Sequence, residues 1–228
     1  MRLLLLCCLL WPLTAMGQPD ANSIADLLAA NRLRVDASVQ PASGLVPGQR
    51  GRLVIEIATD RWFSGGTRIR IPEVPGLVLL QTEQFAANAS ETRNGRSWVI
   101  QRWTLDLYPQ RAGSFTIPGP ELMLRVNGGT GVDIEGSVRA PAVAFEVSLP
   151  PALAQVRDEH WVAAPEFTVS QQFDRSLENL AAGDAFSRDI SFQARDVLAM
   201  MLPVFSAAEQ PGLAAYPDPP RLDNSNNR

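Results

Sequence analysis

The chain has 228 residues, with 20 basic and 24 acidic side chains and a formal charge of −4. Every basic residue is an arginine and no run of like charge appears, so a nucleic-acid partner, which wants a basic face, is not expected. Its two cysteines, Cys7 and Cys8, lie in the first ten residues; beyond them no disulfide, cysteine-ligated zinc site or thiolate nucleophile can form.

Those first residues read as an address. Arg2 gives a positive start, Leu3 to Leu13 is apolar apart from Pro12, and the small residues Ala15 and Gly17 follow. This is the pattern of a secretory signal peptide over residues 1–17, cleaved between Gly17 and Gln18. The run is shorter than the roughly 20 residues of a membrane helix, and no second long apolar segment follows. The expected locale is the periplasm, with no membrane span after cleavage.

Residues 18–32 form a leader. Ser23 can cap a short helix whose apolar side is Ile24, Leu27 and Leu28. From there apolar and polar residues alternate at period two, the mark of half-buried strands. In Arg34 to Val39 the inward set is Val35, Ala37 and Val39. In Arg52 to Thr59 it is Leu53, Ile55 and Ile57, and in Arg68 to Ile71 it is Ile69 and Ile71. In Trp98 to Leu107 it is Val99, Trp103, Leu105 and Leu107, with Trp98 on the opposite face. In Ala142 to Ser148 it is Val143, Phe145 and Val147. Turn signals punctuate these runs: Val46-Pro47-Gly48, Gly65-Gly66, Pro75-Gly76, Asn94-Gly95 and Asn127-Gly128-Gly129. Asn94-Gly95 suits a two-residue hairpin. Asn88-Ala89-Ser90 reads as a loop.

The pattern stops at Leu149-Pro150-Pro151, and residues 150–160 read as a linker. It resumes with Phe167 and Val169 in Glu166 to Ser170, and with Ile190, Phe192 and Ala194 in Ser187 to Arg195. A third strand is expected near Met200 to Phe205. The fold class is therefore all-β. Residues 33–149 are expected to form one immunoglobulin-like β-sandwich, and residues 161–228 part of a second.

Little here suggests catalysis. His160 is the only histidine, in a polar junction beside Asp158 and Glu159, and a triad or zinc site wants more than one such group. Asp133 and Glu135 share a strand face with no third ligand at loop spacing, so they read as edge protection. No catalytic residue, metal site or cofactor is expected, and the protein reads as a non-enzyme. Trp62 and Phe63, in a loop ahead of Gly65-Gly66, are the candidate contact surface. Exposed rings of that kind also serve carbohydrate- or peptidoglycan-binding modules, the alternative function.

The stretch LYPQRAGSFTIPGPEL, from Leu107 to Leu122, resembles a strand–turn–strand signature of the BatD proteins, the aerotolerance or oxygen-tolerance family. HWVAAPEFTVSQQFD, AAGDAFSRDISFQARDVLAMMLPVF and AAYPDPPRL resemble that family's next domain. The resemblance covers nearly all the chain after the signal, on structural rather than catalytic motifs. It implies tandem immunoglobulin-like domains facing the periplasm, usually followed by a membrane helix. It also implies partnership with von Willebrand factor A-type membrane proteins and, indirectly, a MoxR-type ATPase. The chain departs from the family in ending part-way through the second domain. By resemblance the function is a non-enzymatic protein-interaction module of an envelope system linked to oxygen tolerance or envelope stress.

The exported protein should begin at Gln18, and intact-mass measurement on periplasmic extract checks this. A species retaining residues 1–17, or carrying lipid, would refute the signal reading.

Overall fold

The computed structural model describes residues 22–129, 131–153, 161–206 and 210–224. The chain is all-β, built from several antiparallel sheets with one short helix ahead of them. Gly17, Gln18 and His160, and with them the cleavage site, lie outside the described residues.

Helix α1 (Ile24–Ala29) begins where the Ser23 hydroxyl accepts from the Asp26 backbone N–H at 3.1 Å. A helix of six residues has little stability of its own. Ile24 and Leu27 supply it by burial in the main core.

The principal sheet runs β1 (Leu33–Gln40), β2 (Gly51–Thr59), β6 (Arg96–Pro109), β4 (Leu77–Leu80), with β5 (Ala87–Arg93) on the first half of β6. Strand β6 is 14 residues long and serves as the spine, carrying β5 along its start and β4 along its end on one edge and β2 on the other. The β5–β6 hairpin turns at Asn94 and Gly95, with φ of 51° and 73°, as a right-twisted hairpin demands of a two-residue turn. Asn88-Ala89-Ser90 is thus strand, not loop. Every residue of β5 except Glu91 is exposed, so its pairing with β6 rests on backbone hydrogen bonds and leaves no apolar alternation to read.

Opposing this sheet is a bent ribbon. Strands β7 (Gly113–Ile117) and β10 (Val143–Val147) pair as one sheet; β8 (Glu121–Asn127) and β9 (Asp133–Arg139) pair as another, extended by β3 (Arg68–Arg70). The break between the two halves falls at Pro118-Gly119-Pro120 facing Ala140-Pro141. Prolines lack the N–H a ladder needs. The one hydrogen bond across the break, Ala140 N–H to the Pro120 carbonyl at 2.9 Å, forms because Gly119 has no side chain.

The inner residues of both layers meet in one continuous core. Leu33, Val39, Leu53, Ile55, Ile57, Trp103, Leu105 and Leu107 come from the large sheet, and Phe115, Ile117, Leu122, Leu124, Val126, Phe145 and Val147 from the ribbon. Phe115 and Phe145 stack at 5.5 Å. Truncating one such aliphatic side chain to alanine typically costs about 2–5 kcal/mol. Two positions depart from the alternation. Val99 is only half-buried, and the inward site beside it is Gln101, buried with its Oε1 accepting from the Thr67 hydroxyl at 2.6 Å. On the outer face Trp98, Ile100 and Ala58 form a small buried cluster under the Arg34 guanidinium, 5.0 Å from the ring of Trp98.

Beyond residue 161, β11 (Phe167–Phe173) and β12 (Arg188–Ala194) form a lone antiparallel pair. Met200 to Phe205 contains no strand. Ala199–Met201 is one 3-10 turn, and extended coil follows. The Ala199 N–H at its start donates to Asn224 Oδ1 at 2.8 Å, and Ala199 itself is buried.

A methyl group at Gly119 would stand 1.6 Å from the Ala140 carbonyl oxygen. Gly119→Ala should therefore force the two halves of the ribbon apart and lower stability by about 1–3 kcal/mol, read from the urea midpoint. An unchanged midpoint would mean the bend is not under that constraint.

Candidate functional site

Strand alternation decides where the predicted contact residues point. At the end of β2 the buried Thr59 hydroxyl donates to the Arg32 carbonyl at 2.9 Å and accepts from the Arg61 N–H at 3.2 Å. This fixes a corner from which Trp62 projects outward, 73% exposed. Phe63 turns the other way, packs against the core and bridges Val126. The two rings therefore do not form one surface. Asp133 and Glu135 both ion-pair with Arg125, Asp133 at 3.6 Å, and no group of metal-ligating side chains exists among the described residues.

The topology produces two further features, a cleft that periodicity did not reveal and a strand pair that the alternation at Phe167, Val169, Ile190 and Phe192 did. The first is a cleft of 1320 Å³ over the outer face of the large sheet. Its floor is polar because the outward positions of β1, β2 and β6 are: Asp36, Arg52, Glu56, Arg102, Thr104 and Asp106. Arg102 pairs with Glu56 at 2.7 Å. At one end the cleft is closed by Tyr108, Leu198 and Asn224.

That end is also the junction with the C-terminal region. Arg50 lies 2.9 Å from Asp196 and 3.8 Å from Asp106, so one guanidinium spans carboxylates from both regions. Asp196 takes a left-handed φ of 62° to reach it, a conformation uncommon outside glycine. Val197 and Ala199 are buried, and the side-chain amide of Gln110 lies 3.9 Å from the Met201 sulfur. Tyr108 is buried beneath these groups. Burial and then the Asp106 carboxylate push its phenol above the ordinary value of 10.0, against the opposing pull of Arg50.

The second feature is the β11–β12 ribbon. The register pairs Phe167 with Ala194, Val169 with Phe192 and Gln171 with Ile190 on one face. On the other stand Thr168, Ser170 and Gln172 with Asp189, Ser191 and Gln193. The first face is thus mostly apolar, with Phe173 and Arg188 paired at its far end and the Arg188 guanidinium donating to Gln171 Oε1 at 2.7 Å, and the other face is wholly polar. Phe167 stacks on Phe192 at 6.0 Å, yet Phe167 remains 42% and Val169 53% exposed. No strand other than β12 pairs with β11 among the described residues. Among them, too, no helix is long and apolar enough to cross a membrane.

Comparison with protein-family models, with curated proteins and with solved structures finds no match.

In Tyr216→Phe, Tyr108 is the only tyrosine left, and its ultraviolet titration should have a midpoint above pH 10. A phenol held protonated in the folded state contributes stability that is complete below the unfolded value, near 10, and lost as pH rises through the folded value. Chemical denaturation should therefore show a decline above about pH 10 that Tyr108→Phe reduces. A midpoint at or below 10 would contradict the burial argument.

Proposed function

We propose that this protein is a non-enzymatic interaction module of the bacterial envelope, similar to the BatD proteins. In this reading residues 33–149 form an immunoglobulin-like sandwich, and the C-terminal region is the part that engages a partner. The observation that carries it is the β11–β12 ribbon. A two-stranded sheet is marginal in water on its own. One with Phe167, Val169, Ile190 and Phe192 on a single face gains most by acquiring a covering layer. Its outer edges offer unpaired N–H and C=O groups suited to strand addition. The docking of Asp196 and Val197 on the first region holds that ribbon in place while Phe167 and Val169 on its apolar face stay exposed and Ile190 and Phe192 are half-buried. The partner in this proposal is the periplasmic portion of a von Willebrand factor A-type membrane protein, with a MoxR-type ATPase acting indirectly through it.

Trypsin offers a direct test, because Arg175, Arg188 and Arg195 flank or lie in the ribbon. An uncovered ribbon opens at little cost, so cleavage there should be fast while residues up to about Pro150 resist. Adding the purified von Willebrand A-type domain should slow cuts at Arg188 and Arg195 and leave other sites unchanged. If the ribbon alone resists as well as the first region, or the added domain neither binds nor protects, the proposal fails.

A further inference from the structure

We propose that the pole of the first region around Trp62 is a membrane-docking tip that seats on anionic lipid headgroups. This proposal is independent of the ribbon and its partner.

Four stretches far apart in sequence converge at this pole: the entry to β1 at Arg32, the corner Thr59 to Phe63, the turn Arg93 to Arg96, and the turn joining β8 to β9. Two large apolar side chains stand out from it, Trp62 at 73% and Val132 at 69% exposure. They project from neighbouring backbones, since the Asn127 N–H donates to the Trp62 carbonyl at 2.8 Å and the Gly128 N–H to that of Val132 at 3.0 Å. Beneath them one carboxylate, Asp60, serves three guanidiniums: Arg32 at 2.9 Å, Arg61 at 3.9 Å and Arg96 at 3.9 Å. The Arg61 Nε is buried and makes no hydrogen bond among the described residues.

The charge of the pole runs against that of the chain. Arg32, Arg34, Arg61, Arg93, Arg96 and Arg125 lie at or beside it. The facing carboxylates are Asp60, Glu91, Asp133 and Glu135, so six against four leaves +2 on a chain of −4. An excess of guanidinium attracts phosphate-bearing surfaces and binds phosphate in a bidentate fork. Tryptophan places its ring at the headgroup level of a bilayer. The cleft over the outer face of the large sheet does not include these residues. A protruding apolar tip ringed by arginine suits a surface that yields around it better than a ligand that must be enclosed.

The experiment uses the full chain with vesicles of phosphatidylcholine and of an equimolar phosphatidylglycerol–phosphatidylcholine mixture. Because Leu3 to Leu13 can itself associate with lipid, the readout is specific to the tip: quenching of tryptophan fluorescence by brominated lipid in wild type minus that in Trp62→Phe. The difference should be present with the anionic mixture, near zero with phosphatidylcholine alone, and weakened by salt. Arg93→Glu/Arg96→Glu should reduce the anionic-vesicle affinity read from this difference by about tenfold or more, with near-ultraviolet circular dichroism unchanged to show that the fold is intact. Equal quenching of wild type and Trp62→Phe, or no effect of the arginine reversal in a folded variant, would overturn the proposal. So would Trp62-dependent binding to an acidic polypeptide or a glycan without binding to the anionic vesicles.

Discussion

An apolar sheet face must be covered, and in this chain no disulfide can substitute for that cover, since both cysteines precede residue 9. The first region meets the demand with a long spine, β6, that holds three partner strands in one sheet. A ribbon bent at Gly119 lays Phe115, Ile117, Leu122, Leu124 and Val126 across the sheet's inner face. The bend is what lets a single hairpin follow the twist of the larger sheet. It costs ladder hydrogen bonds where Pro118, Pro120 and Pro141 stand, and the close approach of Gly119 to Ala140 recovers one of them. The C-terminal region faces the same demand with two strands. Of its apolar residues, Val197 and Ala199 are buried at the junction, while Phe167 and Val169 on the ribbon stay exposed.

The strands of the core were legible in the sequence because inward residues such as Leu53, Ile55 and Ile57 must alternate with polar ones when only one face is buried. The same logic explains what was not legible. Strand β5 has no apolar face, so only its hairpin turn announced it. Gln101 occupies an inward site because Thr67, 34 residues earlier, satisfies its carbonyl; no local pattern carries such a pairing. Trp98 is buried on an outward face because Arg34 covers it. Met200 to Phe205 is apolar enough for a strand, but its first residues close a 3-10 turn against the Asn224 side chain.

The candidate sites were less legible still. Trp62 and Phe63 are adjacent in sequence and look like one surface, yet alternation sends them to opposite sides of the backbone. The arginines near Trp62 are scattered from residue 32 to residue 125, and only antiparallel pairing gathers their strand ends at one pole. The junction depends on Arg50 and Asp196, two isolated charges separated by most of the chain.

The junction and the Trp62 pole are joined by β2, which leaves Arg50 at one end and reaches Asp60 at the other without a bulge in its pairing to β1 or β6. Nine residues of extended chain span about 30 Å. Hydrogen-bonded on both edges and packed on its inner face, such a strand cannot shorten or fold back. The first region therefore holds its two ends, the Arg50 junction and the Trp62 pole, at a set separation that neither end can change by local rearrangement of the strand between them.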